Sequence, residues 1–338
     1  MKRKIFKYLA DFFKKERKAL LLTGARQVGK TFAIRKMGSE CFDVVVVLNF
    51  IENPEYVKIF EQPRNAKEIL LRISAISEQD LIPGKTLIFF DEVQECPEIV
   101  TAIKFLVDEG SYNYVMSGSL LGIEMKDIRS VPVGYMAVKE MFPLDFEEFC
   151  DAVGMSKEVM DHLRGCYEND SPVDEVVHNK MLDLLKVYLV VGGMPSVVVK
   201  YLQTNNMKSV RDEQQVIINA YKMDIAKYDS ENKLYIKDIF DMIPSELNAK
   251  NKRFILKSLN ENVKFDRYRN SFLWLSDAGV ALPTYNVEEP RMPFRLAEQR
   301  NLFKLFSNDV GLLACQYAAG FKNGKCQFTS RNDSWYGR

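Results

Sequence analysis

Short runs of apolar residues alternate with helix-like stretches through the first part of the chain. Four runs carry consecutive apolar side chains with little polar alternation, and a fifth is weaker. The four lie at residues 19–23, 43–50, 86–90 and 113–117, and the weaker one lies at 135–141. A continuous apolar run is typical of a strand that is buried on both faces of a parallel sheet. Helical patterns between the runs, at 66–77 and 98–108, complete a βαβ rhythm that predicts an α/β domain.

Helical patterns replace the β-like runs in the second half of the chain. A long helix is predicted over residues 172–189 and ends at the Gly192-Gly193 pair, after which Pro195 begins the next helix. Residues 208–228 form a further helical pattern. The second half is therefore predicted to begin as an all-α region.

Three compact helical patterns and an extended stretch with several prolines come next. The helical patterns cover residues 233–242, 250–259 and 264–280, and the extended part contains Pro283, Pro290 and Pro293. Short helices followed by strand-like segments are typical of a winged helix-turn-helix. We expect four parts: the α/β part at 1–150, a helical region at 151–230, a winged-helix-like domain at 231–300, and the start of a C-terminal domain at 301–338.

The composition excludes several classes of protein. Of the 338 residues, 47% are hydrophobic and 28% charged, and 47 Lys and Arg against 46 Asp and Glu give a net charge of +1. These values exclude intrinsic disorder and a disulfide scaffold, and a near-neutral chain has no overall field that attracts nucleic acid. The length predicts about two domains. A zinc site is not expected, because the six cysteines form no C-x-x-C pair and only two histidines are present.

The apolar stretches of the chain do not predict a membrane protein. None reaches the roughly 18 uninterrupted apolar residues that a membrane-spanning helix needs. Residues 5–13 are apolar at helical spacing with basic residues between them, which fits a helix packed beside the first strand or a helix on a membrane surface. The packed helix is the favoured interpretation, and we expect a cytoplasmic protein without a membrane partner.

The sequence from Gly24 to Thr31 reads GARQVGKT and fits the Walker A pattern G-x-x-x-x-G-K-[ST] between a predicted strand and a helical stretch. Its glycines allow successive backbone N–H groups to face one phosphate, and the helix N-terminus adds its dipole. Lys30 supplies a positive charge to the β- and γ-phosphates, and Thr31 supplies a hydroxyl ligand to Mg²⁺. The residues predicted to bind the nucleotide are Gly24, Ala25, Arg26, Gln27, Val28, Gly29, Lys30, Thr31 and Phe32.

Two other predicted strands end in polar residues. The run LIFFDE ends in Asp91 and Glu92, which is how a P-loop fold places a Walker B carboxylate beside Mg²⁺. Asp91 is predicted to hold the metal, and Glu92 to orient and deprotonate the attacking water. The next run ends in Ser117, with Ser119 two residues on. Either serine is a candidate contact to the γ-phosphate or the water, although a tight turn after the strand explains each of them equally well.

Motifs along most of the chain carry a family resemblance. GARQVGKT, LIFFDEVQ, SGSLLG, VGGMP and FKLFSNDVGLL occur here in that order. Together they resemble a widespread prokaryotic group of AAA-plus-like P-loop ATPases, usually named only "ATP-binding protein". The resemblance implies a P-loop ATPase core, then a winged-helix segment, then a C-terminal domain of restriction-endonuclease-like fold. Together with the patterns above, the predicted fold is an α/β P-loop NTPase core with a parallel sheet, followed by an all-α region and a winged-helix-like domain.

The resemblance also implies roles for individual residues. Phosphate-binding and Mg²⁺-binding roles carry over onto the matching positions, and the family's sensor falls on Ser117 or Ser119. The matching positions are Gly24, Gly29, Lys30, Thr31, Asp91 and Glu92. Tyr135 stands where many relatives have a basic residue, so an arginine finger must come from elsewhere, for example Arg129. The chain stops at Arg338, before the nuclease-like domain, so we expect a truncated member of the group.

Local charge is less even than the total. Residues 250–269, from Lys250 to Arg269, contain seven bases and two acids, a local charge of +5. On a winged helix these bases could contact a DNA backbone. The alternatives are a solvated helix face, or pairing with residues 140–175, whose eleven acids and two bases give −9.

Two functions are consistent with these patterns. The first is a Mg²⁺-dependent ATPase of AAA-plus type, with ATP and Mg²⁺ as ligands, an unknown target and a homo-oligomer as an open possibility. The second is a nucleotide-gated regulatory or DNA-binding module with little turnover. The winged-helix interpretation and the unlocated arginine finger favour the second.

Overall fold

A computed structural model describes residues 1–63, 65–118, 134–228, 233–249, 254, 265–289, 291–294 and 297–319. Its first half alternates helices and strands. Their bounds are α1 (Lys4–Lys15), β1 (Ala19–Thr23), α2 (Lys30–Cys41), β2 (Val44–Asn49), α3 (Ala66–Ile76), β3 (Thr86–Asp91), α4 (Glu98–Glu109), β4 (Asn113–Ser117) and β5 (Met136–Glu140). Short 3-10 helices cover Pro54–Phe60 and Val93–Glu95. The five predicted strands are confirmed, each within two residues of its predicted bounds.

The five strands form one sheet in the order β2–β3–β4–β1–β5, and each adjacent pair is parallel. This confirms the predicted parallel α/β fold. Strand β3 is buried along its whole length, whereas β2 alternates between buried and half-buried positions. Continuous burial was expected for both, and the difference arises because β2 forms an edge of the sheet, where its second face is only partly covered.

Two hydrophobic cores cover the two faces of the sheet. One contains α3, α4 and the first 3-10 helix, with Phe60, Ile73 and Ile103 among its buried residues. The other contains α1 and α2 and continues into the second half of the chain. It joins residues from all four predicted parts, for example Leu20, Val198, Ile239 and Leu312. Packing on this face therefore links the α/β part to everything that follows it.

The second half is mainly helical among its described residues. Its elements are α5 (Phe146–Ala152), α6 (Lys157–Glu168), α7 (Glu175–Val191), α8 (Pro195–Thr204), α9 (Met207–Tyr228), α10 (Lys233–Asn248), α11 (Phe265–Asp277), β6 (Ala281–Val287), β7 (Glu298–Ser307) and α12 (Val310–Ala319). Strands β6 and β7 form an antiparallel hairpin. The predicted helix at 233–242 extends to Asn248 with Pro244 inside it, since Phe240 and Ile243 are buried in the core and hold the helix past the proline. The helical pattern at 250–259 lies outside the described residues except for Phe254.

The N-terminal helix is packed, as predicted, through buried Ile5, Leu9 and Phe12. The basic residues before and within it pair with the acidic segment at 140–175. Lys2 Nζ lies 3.7 Å from Asp151 Oδ1, and Arg3 Nε lies 3.2 Å from Glu148 Oε1. Lys4 Nζ lies 2.6 Å from both Asp145 Oδ2 and Glu147 Oε2. Part of the acidic segment is therefore neutralised by the N-terminus, an alternative that sequence reasoning did not consider. Nearly all of the basic region at 250–269 has no described side chains, so its predicted contacts are not tested.

Among the described residues, a single helix long and apolar enough to cross a membrane was not found. One bent pair, α7 with α8, reaches the required length and composition only when its two helices are taken together across a bend of 118°.

Candidate functional site

The predicted phosphate-binding loop connects β1 to α2, and its glycines are required by the backbone. Gly24 has φ +127°, and a Cβ there would lie 2.1 Å from the carbonyl oxygen of Met141. Gly29 has φ +95° and immediately precedes α2, which begins at Lys30. Gln27 also lies in the left-handed region, at φ 68°, which disfavours residues other than glycine. This backbone gives the loop the turn that phosphate binding needs.

Lys30 lies beneath this loop with only 8% of its surface exposed. Its Nζ donates hydrogen bonds to the carbonyl oxygens of Gly24 and Ala25, at 2.8 and 2.9 Å. Burial lowers the pKa of Lys30 from 10.5 to about 8, against the opposing charges of Glu92 and Asp91, while the charge of Arg26 lowers it further. A buried cation whose hydrogen bonds go to neutral carbonyl oxygens favours the binding of an anion.

The carboxylate of Asp91 is the centre of a second cluster at the end of β3, and it is 2% exposed. Thr31 Oγ1 donates to it at 3.1–3.2 Å and Asn49 Nδ2 at 3.3 Å, and Ser117 Oγ donates to Oδ1. Strand register produces this meeting, because Asn49 and Ser117 lie opposite Asp91 on the two neighbouring strands. The structure thus brings together Thr31, Asp91 and Ser117, three of the predicted site residues.

Sequence reasoning missed Asn49. The signal was present, since Asn49 is the polar residue that ends the second apolar run, and carboxyl ends of adjacent parallel strands share an edge of the sheet. Its side chain also accepts hydrogen bonds from the backbone N–H groups of Ile51 and Glu52, which fix its orientation. Asn49 therefore presents its amide to Asp91 in a defined geometry.

Glu92 follows Asp91 with left-handed backbone, φ 59°, and is partly buried. Gln94 Nε2 donates to Glu92 Oε2 at 2.7 Å. The side chain of Phe32, at the start of α2, is 65% exposed, whereas Ala25 and Val28 are buried and can offer only backbone groups to a ligand. Ser119 and Arg129 lie outside the described residues.

Residues from the second half of the chain contact the loop, which the sequence did not predict. Arg26 Nη1 lies 2.6 Å from Asp224 Oδ1 on α9, and the Tyr221 hydroxyl donates to the carbonyl oxygen of Arg26 at 3.2 Å. The turn after α11 is close as well, since a Cβ on Gly279 would lie 2.9 Å from the Ala25 nitrogen. The tip of the loop is therefore held by the helical part of the protein.

The VGGMP segment lies on the other side of the loop. A Cβ on Gly29 would lie 3.7 Å from Pro195 Cγ, at the start of α8. The turn before α8 is fixed by Asp309, whose carboxylate accepts hydrogen bonds from the N–H groups of Gly193 at 2.6 Å and Leu312 at 2.9 Å. Burial raises the pKa of Asp309, and these hydrogen bonds oppose the rise. One of the predicted helix breaks is thus a packed junction close to the phosphate-binding loop.

We expect Gly193→Ala to lower the free energy of unfolding by about 3 kcal/mol or more, because its Cβ would lie 2.0 Å from the backbone oxygen of Leu144, which cannot give way cheaply. Urea unfolding of both proteins measures this difference. Gly165→Ala is the matched control: nothing lies within 4 Å of its Cβ, and we expect a gain of up to about 1 kcal/mol in helix α6. Equal stability of the two variants would contradict the close approach at Gly193.

Comparison with known proteins agrees with this geometry. Residues 16–150 match the family model of an AAA domain, and residues 182–323 match a domain of unknown function, DUF8612. The search of curated proteins gave no match. The Walker-type ATPase PABY2304 of Pyrococcus abyssi superposes with a TM-score of 0.53 at 13% sequence identity, covering 94% of this chain and 95% of that one.

Weaker similarities occur to two other solved structures. The RuvB Holliday junction branch migration motor of Thermotoga maritima has a TM-score of 0.37 at 12% identity, covering 91% of this chain and 92% of that one. The Aeropyrum pernix ORC1 protein, in complex with DNA, has a TM-score of 0.32 at 12% identity, with 94% and 92% covered. Residues 16–150 thus match the model of an AAA domain, and the parallel sheet with its flanking helices has the α/β arrangement of a P-loop NTPase fold.

Proposed function

We propose that the protein binds ATP together with Mg²⁺ and hydrolyses it. The observation that carries the proposal is the meeting of Lys30, Thr31 and Asp91 around the turn of the GARQVGKT loop. The residues present fit both ligands. The glycine turn leaves backbone N–H groups free of side-chain cover, and a hydroxyl beside a carboxylate is the oxygen donor set that Mg²⁺ prefers.

In this proposal the loop and Lys30 bind the phosphates, while Thr31 and Asp91 hold the metal. Bound Mg²⁺ neutralises charge that develops on the phosphate oxygens. Asn49 and Ser117 orient the Asp91 carboxylate through hydrogen bonds from two neighbouring strands. This support matters because a carboxylate that rotates freely costs entropy when it is fixed at a metal.

Glu92 is the proposed base that accepts a proton from the attacking water. It follows Asp91 directly, so the same strand end carries both the metal ligand and the base. Its hydrogen bond from Gln94 holds the carboxylate in one orientation and leaves its other oxygen available to accept the proton. Ser117 donates a hydrogen bond to Asp91, and its proposed role is therefore to orient that carboxylate. A contact of Ser117 to the nucleotide is secondary in this proposal.

We also propose that the second half of the chain contains a winged-helix part that contacts DNA. The hairpin of β6 and β7 follows α11, which is the order of elements that a winged helix requires. The bounds predicted from sequence, 231–300, end inside β7, so we extend this part to Ser307, after a helical region at 151–230 and before a C-terminal segment from residue 308. DNA contact by the basic residues at 250–269 is tested by measuring DNA affinity at rising salt, because phosphate contacts weaken steeply with salt concentration.

Asp91→Asn tests the metal site. We expect the variant to need an about tenfold higher Mg²⁺ concentration for half-maximal ATP hydrolysis, because a neutral amide is a poorer ligand for the ion than a carboxylate. A magnesium titration of steady-state phosphate release measures this. Asp43→Asn is the control, because Asp43 lies at the opposite end of β2 and pairs with Lys85 at the surface, at 2.8 Å. An Asp91→Asn protein with the unchanged magnesium requirement would contradict the proposed ligand.

A further inference from the structure

Arg26 is the second cation of the phosphate-binding loop, and it is held by a carboxylate from another part of the fold. Its Nη1 lies 2.6 Å from Asp224 Oδ1. The side chain of Asp224 is 11% exposed, whereas that of Arg26 is 46% exposed and lies at the open rim of the loop. Tyr221, one helical turn before Asp224 on α9, donates its hydroxyl to the Arg26 carbonyl oxygen at 3.2 Å. Helix α9 thus contacts both the side chain and the backbone of Arg26.

Arg26 and Lys30 give the phosphate-binding loop two positive charges that lie near each other. The Arg26 guanidinium is close enough to lower the pKa of Lys30, in addition to the larger effect of burial. Each cation is satisfied by a protein group: Lys30 by two loop carbonyl oxygens, and Arg26 by Asp224. A polyphosphate bound in the loop would compete for both cations, because phosphate oxygens are strong acceptors for guanidinium and ammonium groups.

The two cations lie on different sides of the loop. Lys30 is buried beneath it and serves the β- and γ-phosphates in the proposed function. Arg26 is exposed and close enough to influence the charge of Lys30, so its guanidinium can contact the terminal phosphate from the solvent side. That phosphate is the most highly charged group of ATP and is the one that ADP lacks, so it is the competitor that Asp224 would meet only in the triphosphate state.

We propose that Arg26 binds the terminal phosphate of ATP and that Asp224 holds Arg26 when this phosphate is absent. Helix α9 then distinguishes ATP from ADP, because only ATP takes Arg26 away from it. Release of Arg26 would also affect the helical part of the protein, because α9 packs against α8, α10 and α12. This inference rests on the proposed ATP binding and adds a residue that reads the state of the nucleotide.

Binding of ATP and ADP to Arg26→Gln and Asp224→Asn tests the proposal. A non-hydrolysable ATP analogue and ADP are titrated calorimetrically into each protein with Mg²⁺ present. We expect Arg26→Gln to weaken analogue binding about tenfold while ADP affinity changes less than about twofold, as loss of one charge-assisted phosphate contact predicts. Asp224→Asn should strengthen analogue binding by about threefold, because it removes the competitor of the phosphate. The double variant should behave like Arg26→Gln alone.

Asp241→Asn is the matched control. It breaks another ion pair of α9, between Lys222 and Asp241 at 2.6 Å, without touching the loop, and should leave both affinities unchanged. Equal weakening of ATP analogue and ADP in Arg26→Gln, or weaker analogue binding in Asp224→Asn, would overturn the proposal. If Arg26→Gln does not fold, the sign of the Asp224→Asn effect decides by itself. Failure of the wild-type protein to bind either nucleotide would overturn the proposed function itself. Normal binding by the wild type with the wrong response of the variants would overturn this inference alone.

Discussion

Lys30→Met is expected to abolish ATP binding and to make the nucleotide-free protein more stable by about 1–3 kcal/mol at neutral pH. Binding is lost because Lys30 is the buried cation beneath the phosphate-binding loop, and methionine has no charge to offer. Stability is gained because the wild-type protein must keep a charged ammonium group almost out of contact with water. Its two carbonyl partners offset this cost only in part, since the pKa of Lys30 falls to about 8.

The direction of the pH effect follows from the same value. The pKa of Lys30 is lowered in the folded protein, from 10.5 to about 8, so between these two values the unfolded chain binds more protons than the folded one. The free energy of unfolding of the wild-type protein should therefore rise with pH in this interval, relative to Lys30→Met. The stability difference between the two proteins should shrink above a pH of about 8, and the affinity of the wild-type protein for ATP should fall there as Lys30 loses its charge.

Urea unfolding at neutral pH and above the pKa of Lys30, together with ATP titrations, measures both effects. Lys36→Met is the control, because Lys36 lies on the same helix but is exposed and pairs with Glu40 at 2.7 Å. We expect this control to bind ATP normally and to change stability by less than about 0.5 kcal/mol. A Lys30→Met protein that is less stable than the wild type at neutral pH would show that the carbonyl hydrogen bonds outweigh the cost of burying the charge.

The parts of the site that sequence reasoning predicted are the parts that lie close together along the chain or at strand ends. The loop, its lysine and the start of α2 are contiguous, and Asp91 and Ser117 end apolar runs that could be read as strands. Ser117 was not separated from Ser119 by sequence, because both follow the same strand. The pairing of Asp91 with Ser117 across two adjacent strands now distinguishes Ser117, while Ser119 lies outside the described residues.

The contacts between the two halves of the chain could not be predicted in the same way. Asp224 is almost 200 positions from Arg26, and Asp309 is 116 from Gly193, and each stands in a helix or turn with an ordinary local pattern. Periodicity shows which side of a helix is buried, but it does not show what covers that side. The relevant information is held by the packing of α8, α9 and α12 around one core, which exists only in the folded chain. Glycines were the only local hint, since Gly192 and Gly193 break a helix where Asp309 approaches the backbone.

Glu92→Gln should leave ATP binding nearly unchanged and slow hydrolysis by about 10²–10⁴-fold, the range that general-base catalysis contributes. Glutamine keeps the size of the side chain and can still accept a hydrogen bond from Gln94, but it cannot take a proton from water. The variant should therefore trap bound ATP, with the magnesium requirement of the wild-type protein, which distinguishes it from Asp91→Asn.

Phosphate release under steady-state and single-turnover conditions, with nucleotide affinity measured in parallel, separates the chemical step from binding. Glu95→Gln is the control, because Glu95 is exposed three residues further on, in the short 3-10 helix, and should hydrolyse ATP at the wild-type rate. Gln94→Ala should have a smaller effect than Glu92→Gln, because it removes only the hydrogen bond that orients the carboxylate. If Glu92→Gln kept the wild-type turnover while Lys30→Met lost binding, the loop would remain the nucleotide site and the base would have to be another residue at this edge of the sheet.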